Sequence, residues 1–281
     1  MGAYPGPVTW RALSSAVLAL FLVGGHEGAP APFARGLLAV EADCGPPRPL
    51  DDARTLSELA RIAALVRARA NAGASRADAL NGAVFGQLGF VREVDDTDLR
   101  FVFLSSVLAG KRGSCVGLGT LYIALGELLG WKIEGVMVPG HFYVRVDEGG
   151  SSRNVELLRK GERMPDAWYR TRFPVPGRGA PEYGRALSTK EVLGVVEYDV
   201  GNERRRQGLL PAARRAYRSS AASFPGFAEA HASLGATEHL LGALDAALIS
   251  YGAARQANPD LPGVGRNLAL LRAELDDSTR R

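Results

Sequence analysis

The fold is decided by residues 113–130, which have the sequence GSCVGLGTLYIALGELLG. Ser114 is of the type that caps a helix, because its hydroxyl oxygen can accept a hydrogen bond from an unpaired backbone N–H group. Apolar residues then continue to Leu129, and Gly130 is typical of the left-handed residue that ends a helix. The pattern predicts a long apolar helix that begins at Cys115.

Three strand-like segments follow this helix. Residues 132–138 (KIEGVMV) and 141–146 (HFYVRV) are separated by Pro139-Gly140, and the turn at 148–151 (EGGS) precedes residues 153–158. Short β-branched and aromatic runs bounded by glycine and proline are typical of antiparallel hairpins. We therefore expect an α+β fold in which the helix precedes a small antiparallel sheet.

The N-terminal residues have the pattern of a secretory signal. Arg11 precedes the apolar residues 12–25 (ALSSAVLALFLVGG), and small residues follow at 29–31. A basic start, a short apolar core and a small-residue end predict a signal peptide over residues 1–31, with an uncleaved anchor as the alternative. We expect an exported protein, periplasmic or in the cell envelope. No apolar run is long enough for a stable membrane span after processing.

Composition excludes several classes of protein. Of the 281 residues, 46% are hydrophobic and 23% are charged, which is typical of a globular chain and not of a disordered one. The net charge of +4 comes almost entirely from arginines, with a local concentration at residues 204–218. Arginines on solvated helix faces account for this concentration better than a nucleic-acid surface does. We expect no nucleic-acid partner.

The C-terminal third contains an internal repeat. Pairs of identical residues lie 34 positions apart: Gly201 and Gly235, Gly208 and Gly242, Ala213 and Ala247, Tyr217 and Tyr251, Pro225 and Pro259, Leu234 and Leu268. A 34-residue period with small residues at helix contacts and a terminal proline resembles tetratricopeptide repeats. Such repeats predict an α-helical segment, closed by a final helix from Val264, that binds a protein partner.

Two Gly- and Pro-rich stretches suggest where domains begin and end. One supports a linker over residues 32–50, and the other, PVPGRGAP at 174–181, supports a linker over residues 176–188. The expected organisation is therefore a mixed domain at 51–175 and a repeat-containing helical domain at 189–281.

Cys115 and His141 are the candidate reactive residues. A thiol at a helix start is more easily ionised, because the helix dipole favours negative charge there. His141 begins a strand and could serve as the base, and either Asn154 or Glu156, which share one strand face, could orient its ring. The alternative is a disulfide between Cys44 and Cys115 in an oxidising compartment, with His141 as a buried structural group.

Residues 76–165 resemble the transglutaminase-like superfamily, in the bacterial branch that is frequently fused to tetratricopeptide repeats. The matching stretches are DALN at 78–81, LGF at 88–90, RGSCVGLGTLY at 112–122, GW at 130–131, EGV at 134–136 and PGHFYVR at 139–145. The resemblance implies a papain-like core with a Cys-His-Asp triad. Cys115 matches the nucleophile, His141 the base and Glu156 the position of the aspartate, with Gly161 matching a glycine downstream.

These observations favour an exported acyl-transfer enzyme that acts on a protein or peptide. Water as the acceptor would make it a protease or amidase, and an amine would make it a transamidase. No cofactor is expected, and the sequence offers neither close Cys/His pairs for a metal nor an acidic loop for calcium. The alternative function is a non-catalytic interaction scaffold with a degenerate transglutaminase-like domain.

Overall fold

The structure is a computed structural model that describes residues 31–44, 48–93, 98–175 and 180–279, with side chains up to residue 277. The predicted signal peptide lies outside the described residues, except for Ala31. The helices are α1 (Pro32–Asp43), α2 (Asp52–Asn71), α3 (Arg76–Asn81), α4 (Leu104–Gly110), α5 (Cys115–Leu129), α6 (Asp166–Arg172), α7 (Thr189–Arg206), α8 (Leu210–Ser223), α9 (Ala228–Leu240), α10 (Leu244–Ala257) and α11 (Val264–Thr279). Within the described ranges, none of them has the length and apolar character needed to cross a membrane.

The strands are β1 (Val91–Arg92), β2 (Arg112–Gly113), β3 (Ile133–Val138), β4 (His141–Asp147), β5 (Ser152–Glu156), β6 (Glu162–Arg163) and β7 (Ala186–Leu187). Strands β1 and β2 form a short parallel pair. The other five form one antiparallel sheet in the order β6-β5-β4-β3-β7. The fold is therefore α+β, as the sequence predicted.

Helix α5 forms as predicted because its ends carry the expected caps. The Ser114 hydroxyl accepts a hydrogen bond from the Gly117 N–H at 3.2 Å, and Gly130 ends the helix with φ +69°. Every residue from Cys115 to Gly126 is buried, so the helix runs through the core. A Cβ at Gly119 would lie 2.5 Å from Cε1 of Phe142, which shows how closely α5 approaches β4.

Residues 32–50 do not form the predicted linker, because helix α1 occupies most of them. Phe33 and Leu37 are one turn apart and are both buried, which anchors the helix in the core. The Glu127 carboxylate of α5 accepts hydrogen bonds from the backbone N–H groups of Phe33 and Ala34, at 3.0 and 3.3 Å. A carboxylate from another element thus supplies the N-terminal cap that the local sequence lacks.

The predicted linker at 176–188 is also wrong over the part that the structure describes, since Ala186–Leu187 is the edge strand β7, paired with β3. Beyond it, the helical segment shares its core with the preceding domain. The shared cluster includes these residues of the helical segment: Val192, Val195, Val196, Phe224, Phe227 and Ala230. Residues Ala31–Arg281 accordingly form one compact unit.

The two helix pairs α7–α8 and α9–α10 repeat the same contact at the 34-residue offset. A Cβ at Gly201 would lie 2.5 Å from the Tyr217 ring, and a Cβ at Gly235 would lie 3.0 Å from the Tyr251 ring. Each glycine therefore lets the tyrosine of the next helix approach closely. Helix α11 then packs against this second pair through its own buried side chains.

We expect Gly235→Leu to lower the free energy of unfolding by about 2 kcal/mol, because the added side chain must displace the Tyr251 ring. Chemical denaturation of the full chain measures this. The matched control is Gly252→Leu on α10, where no atom lies within 4 Å of the added Cβ. Equal stability of the two variants would contradict the proposed helix contact.

Candidate active site

Cys115 is the first residue of α5 and is 7% exposed. Its thiol therefore lies at the positive end of the α5 dipole, where the thiolate form is favoured. The disulfide considered for Cys44 is wrong, because both cysteines are free thiols. Cys44 follows the end of α1, where its carbonyl accepts a hydrogen bond from Arg204, and burial raises the pKa of its thiol.

His141 is placed beside the same cavity by a tight turn. It is the first residue of β4 and pairs with Val138, the last residue of β3, across Pro139-Gly140. Gly140 has φ +68°, a backbone conformation that glycine adopts without strain. A cavity of about 250 Å³ is lined by both Cys115 and His141. The structure thus brings the two candidate reactive side chains to one enclosed space.

A buried carboxylate holds the His141 ring. Its Nε2 lies 2.7 Å from Oε2 of Glu156, and the two side chains are only 5% and 2% exposed. The other oxygen of Glu156 accepts a hydrogen bond from the Leu158 N–H at 3.0 Å. This contact fits the tautomer in which Nε2 carries the proton and donates it to the carboxylate oxygen. Nδ1 is then the nitrogen that can take a proton from the thiol.

Asn154 is not the residue that orients His141. It lies opposite Arg145 in the β4–β5 register, and its Oδ1 accepts a hydrogen bond from Arg145 Nε at 2.9 Å. Its amide nitrogen donates to Oδ1 of Asp166 at 2.6 Å. Glu156 lies two residues further along β5 on the same side of the sheet. At this position its carboxylate is within hydrogen-bond distance of His141.

Aromatic rings cover His141 on one side. The Phe173 ring stacks on the imidazole at 4.6 Å with an angle of 12°, and the Tyr169 ring lies parallel to it at 6.4 Å. Burial and the charge of Glu156 raise the pKa of the Tyr169 hydroxyl, which therefore remains neutral. No local sequence pattern pointed to Phe173, which lies 32 positions from His141.

Asn81 connects α5 to the turn that follows Glu156. Its Oδ1 accepts a hydrogen bond from the Tyr122 hydroxyl, and its Nδ2 donates to the Gly161 carbonyl, both at 2.9 Å. The Gly161 N–H donates in turn to the Glu156 carbonyl at 2.9 Å. With φ +83° and no room for a Cβ beside Asn81, position 161 favours glycine on two grounds.

Part of the cavity lining comes from the helical segment. The sequence analysis did not predict that this segment would reach the cavity. Its residues lining the cavity are Val195, Tyr198, Asp199, Asn202, Phe227 and Glu229. Tyr183, which precedes β7, donates a hydrogen bond from its hydroxyl to Oε1 of Glu229. Burial, with a smaller effect of the nearby Glu182, raises the pKa of Glu229 to about 7.

A family model described as the transglutaminase-like superfamily matches residues 53–172, a range that contains Cys115, His141 and Glu156. A search of curated proteins found no match. Among solved structures, a crystal structure of menin, which the description says reveals the binding site for the Mixed Lineage Leukemia (MLL) protein, is 11% identical. The alignment covers 86% of this chain and 68% of that one, with a TM-score of 0.39.

Proposed function

We propose that this protein is a thiol-dependent acyl-transfer enzyme, and the match of residues 53–172 to the transglutaminase-like superfamily model supports this. Cys115 is the nucleophile, His141 is the base, and Glu156 holds the His141 ring. The observation that carries the proposal is the buried hydrogen bond between His141 and Glu156 beside the cavity that Cys115 lines. A nucleophile, a base and a group that orients the base are the minimum set for this chemistry.

The first step forms a thioester. His141 Nδ1 takes the proton of the Cys115 thiol, and the thiolate attacks the carbonyl carbon of an amide in a protein or peptide. The oxyanion develops at the positive end of the α5 dipole, which stabilises it. The C–N bond then breaks, the imidazolium gives its proton to the leaving amine, and the acyl group remains on sulfur.

The second step releases the acyl group. Water or a primary amine attacks the thioester carbonyl, and His141 takes a proton from this attacking group. The C–S bond breaks and the sulfur recovers a proton from the imidazolium. Water yields a carboxylic acid, as in a protease or amidase, and an amine yields a new amide, as in a transamidase.

In this proposal, the helical segment is a tetratricopeptide-like array that binds a protein partner. The 34-residue repeat supports this role, as do apolar side chains exposed on α9, α10 and α11. Leu240 is 62% exposed, Ile249 is 74% exposed and Leu270 is 56% exposed. Exposed apolar side chains can mark protein interaction sites. They also favour the second candidate function, a non-catalytic scaffold that binds its partner through the repeats.

Iodoacetamide labelling across pH distinguishes the two functions. In a Cys44→Ser background, we expect Cys115 to react readily at pH 6, where an ordinary thiol is less than about 1% ionised. His141→Ala should lose this reaction, because the thiolate loses its proton acceptor and counter-ion. His239→Ala, at a histidine paired with Glu274 on the repeats, is the matched control and should behave as the parent. A Cys115 profile equal to that of free cysteine would favour the scaffold.

Export is also part of the proposal, supported by the sequence pattern of residues 1–31. Expression of the full chain in a bacterial host, followed by fractionation and intact-mass measurement, tests it. We expect protein in the envelope fraction, shortened at its N-terminus near residue 31. Full-length protein confined to the cytoplasm would contradict export.

A further inference from the structure

The cavity beside Cys115 has a wall that the proposed acyl transfer does not use. Residues Asp199 and Asn202 of α7 and Glu229 of α9 line the same space as Cys115 and His141. All three side chains are polar, and two of them are carboxylates. A substrate that places its carbonyl at Cys115 can therefore extend along this polar wall.

The charge of the cavity is one-sided. Among its described lining residues there is no lysine or arginine, although the whole chain has 34 basic residues against 30 acidic ones. An ionised Glu229 carboxylate in this partly enclosed space would favour a positive ligand, because field lines concentrate where low-dielectric walls surround a charge.

Glu229 has capacity for a further hydrogen bond. The Tyr183 hydroxyl donates to its Oε1, which fixes the side chain, while its Oε2 is buried and has no hydrogen-bond partner. A buried acceptor without a donor is costly, so a ligand that draws the Glu229 side chain toward the cavity and donates to Oε2 gains that energy on binding. Burial also raises the pKa of Glu229 to about 7, and a cation beside the carboxyl group would stabilise the charged form that burial disfavours.

The rest of the lining suits the stem of a long side chain. Val195 and Phe227 lie on the same helical wall, and Met137 lies on β3. Lysine and arginine bury their methylene groups against such apolar residues while their charged ends reach polar partners. A basic side chain therefore matches both parts of the wall.

We propose that the enzyme selects a peptide with a basic side chain, an ammonium or a guanidinium, at the residue whose carbonyl Cys115 attacks, and that Glu229 is the residue that recognises it. This inference rests on the proposed acyl-transfer function and assigns the helical segment a direct part in substrate choice. Asp199 lies on the same wall.

Affinity labels of matched shape test the inference. We would measure the second-order rate at which acetylated chloromethyl ketones of lysine, arginine and norleucine alkylate Cys115 in the full chain. Norleucine has the length of the lysine stem without its charge. We expect the lysine and arginine labels to react about tenfold or more faster than the norleucine label, the ratio that corresponds to about 1.4 kcal/mol of binding.

Substitutions identify the recognising group. Glu229→Gln keeps an oxygen for the Tyr183 hydroxyl but removes the charge, and it should bring the rate ratio close to one. Asp245→Asn removes an exposed carboxylate on α10 outside the cavity and should leave the ratio at the parent value. Restoration of the preference by Glu229→Asp would support recognition by charge.

The outcomes separate this inference from the proposed function. Fast iodoacetamide labelling of Cys115 at pH 6 combined with equal rates for the three ketones would overturn the inference alone. Labelling at the rate of a free cysteine with every reagent would overturn the proposed function and the inference with it. If Glu229→Gln kept the preference of the parent protein for the lysine and arginine labels, the assignment of recognition to Glu229 would be overturned.

Discussion

Glu156→Gln should lower the rate at which p-nitrophenyl acetate acylates Cys115 by roughly 10³- to 10⁴-fold. The carboxylate of Glu156 accepts a hydrogen bond from Nε2 of His141 and stabilises the imidazolium that forms when the thiol loses its proton. A neutral amide cannot stabilise that charge, and its N–H group can impose the tautomer in which Nδ1 carries the proton. Stopped-flow release of p-nitrophenol measures the acylation rate.

The matched control for this experiment is Glu162→Gln. Glu162 is an exposed glutamate on β6 that lies opposite Glu156 in the strand register and pairs with Arg159. We expect its acylation rate to equal that of the parent within about twofold. Circular dichroism would verify that Glu156→Gln is folded, and a folded variant with an unchanged rate would refute the role of Glu156.

Gly117→Ala should lower the free energy of unfolding by about 3 kcal/mol, the upper end of the usual cost of overpacking. A Cβ at this position would overlap the carbonyl oxygen of Phe101 and lie 3.0 Å from Cγ2 of Val107. The Phe101 carbonyl also accepts a hydrogen bond from the N–H of Ser114, the residue that caps α5. The clash therefore falls on backbone that cannot move without disturbing Cys115.

Gly252→Ala on α10 is the opposite case. No atom lies within 4 Å of a Cβ there, and the backbone is helical. Alanine should raise the free energy of unfolding by about 0.5–1 kcal/mol, because it has the better helix propensity. Urea denaturation of both variants gives the comparison, and a loss of stability at Gly117 no larger than about 0.5 kcal/mol would contradict the close contact.

Helix α5 and strands β3 to β5 were predictable because their signals are local. Ser114 and Gly130 set the two ends of the helix, and Pro139-Gly140 separates two strands of regular pattern. Helix α1 was missed because its cap comes from Glu127, about 94 residues away in the chain. A composition rich in alanine, glycine and proline then suggested a linker where tertiary contacts stabilise a helix.

The candidate site was predictable only in part. Cys115 and His141 carried recognisable sequence contexts, but the choice between Asn154 and Glu156 depended on the strand register, since both lie on one face of β5. In this register Asn154 lies opposite Arg145, and the carboxylate of Glu156 is the group that forms a hydrogen bond with His141. Asp199 and Glu229 could not be found from the sequence, because only the packing of the helical segment brings them to the cavity.

The core shared between the sheet and α7 determines how this chain can be dissected. A Cβ at Gly135 in β3 would lie 3.0 Å from the Val192 side chain of α7. A Cβ at Gly36 in α1 would lie 2.9 Å from the Leu193 side chain of α7. A fragment that ended at residue 175 would expose both surfaces to water, and their apolar area would favour aggregation. The transglutaminase-like region is therefore not a module that could be excised and expressed by itself, and the repeats could not be exchanged for those of another protein without rebuilding this contact.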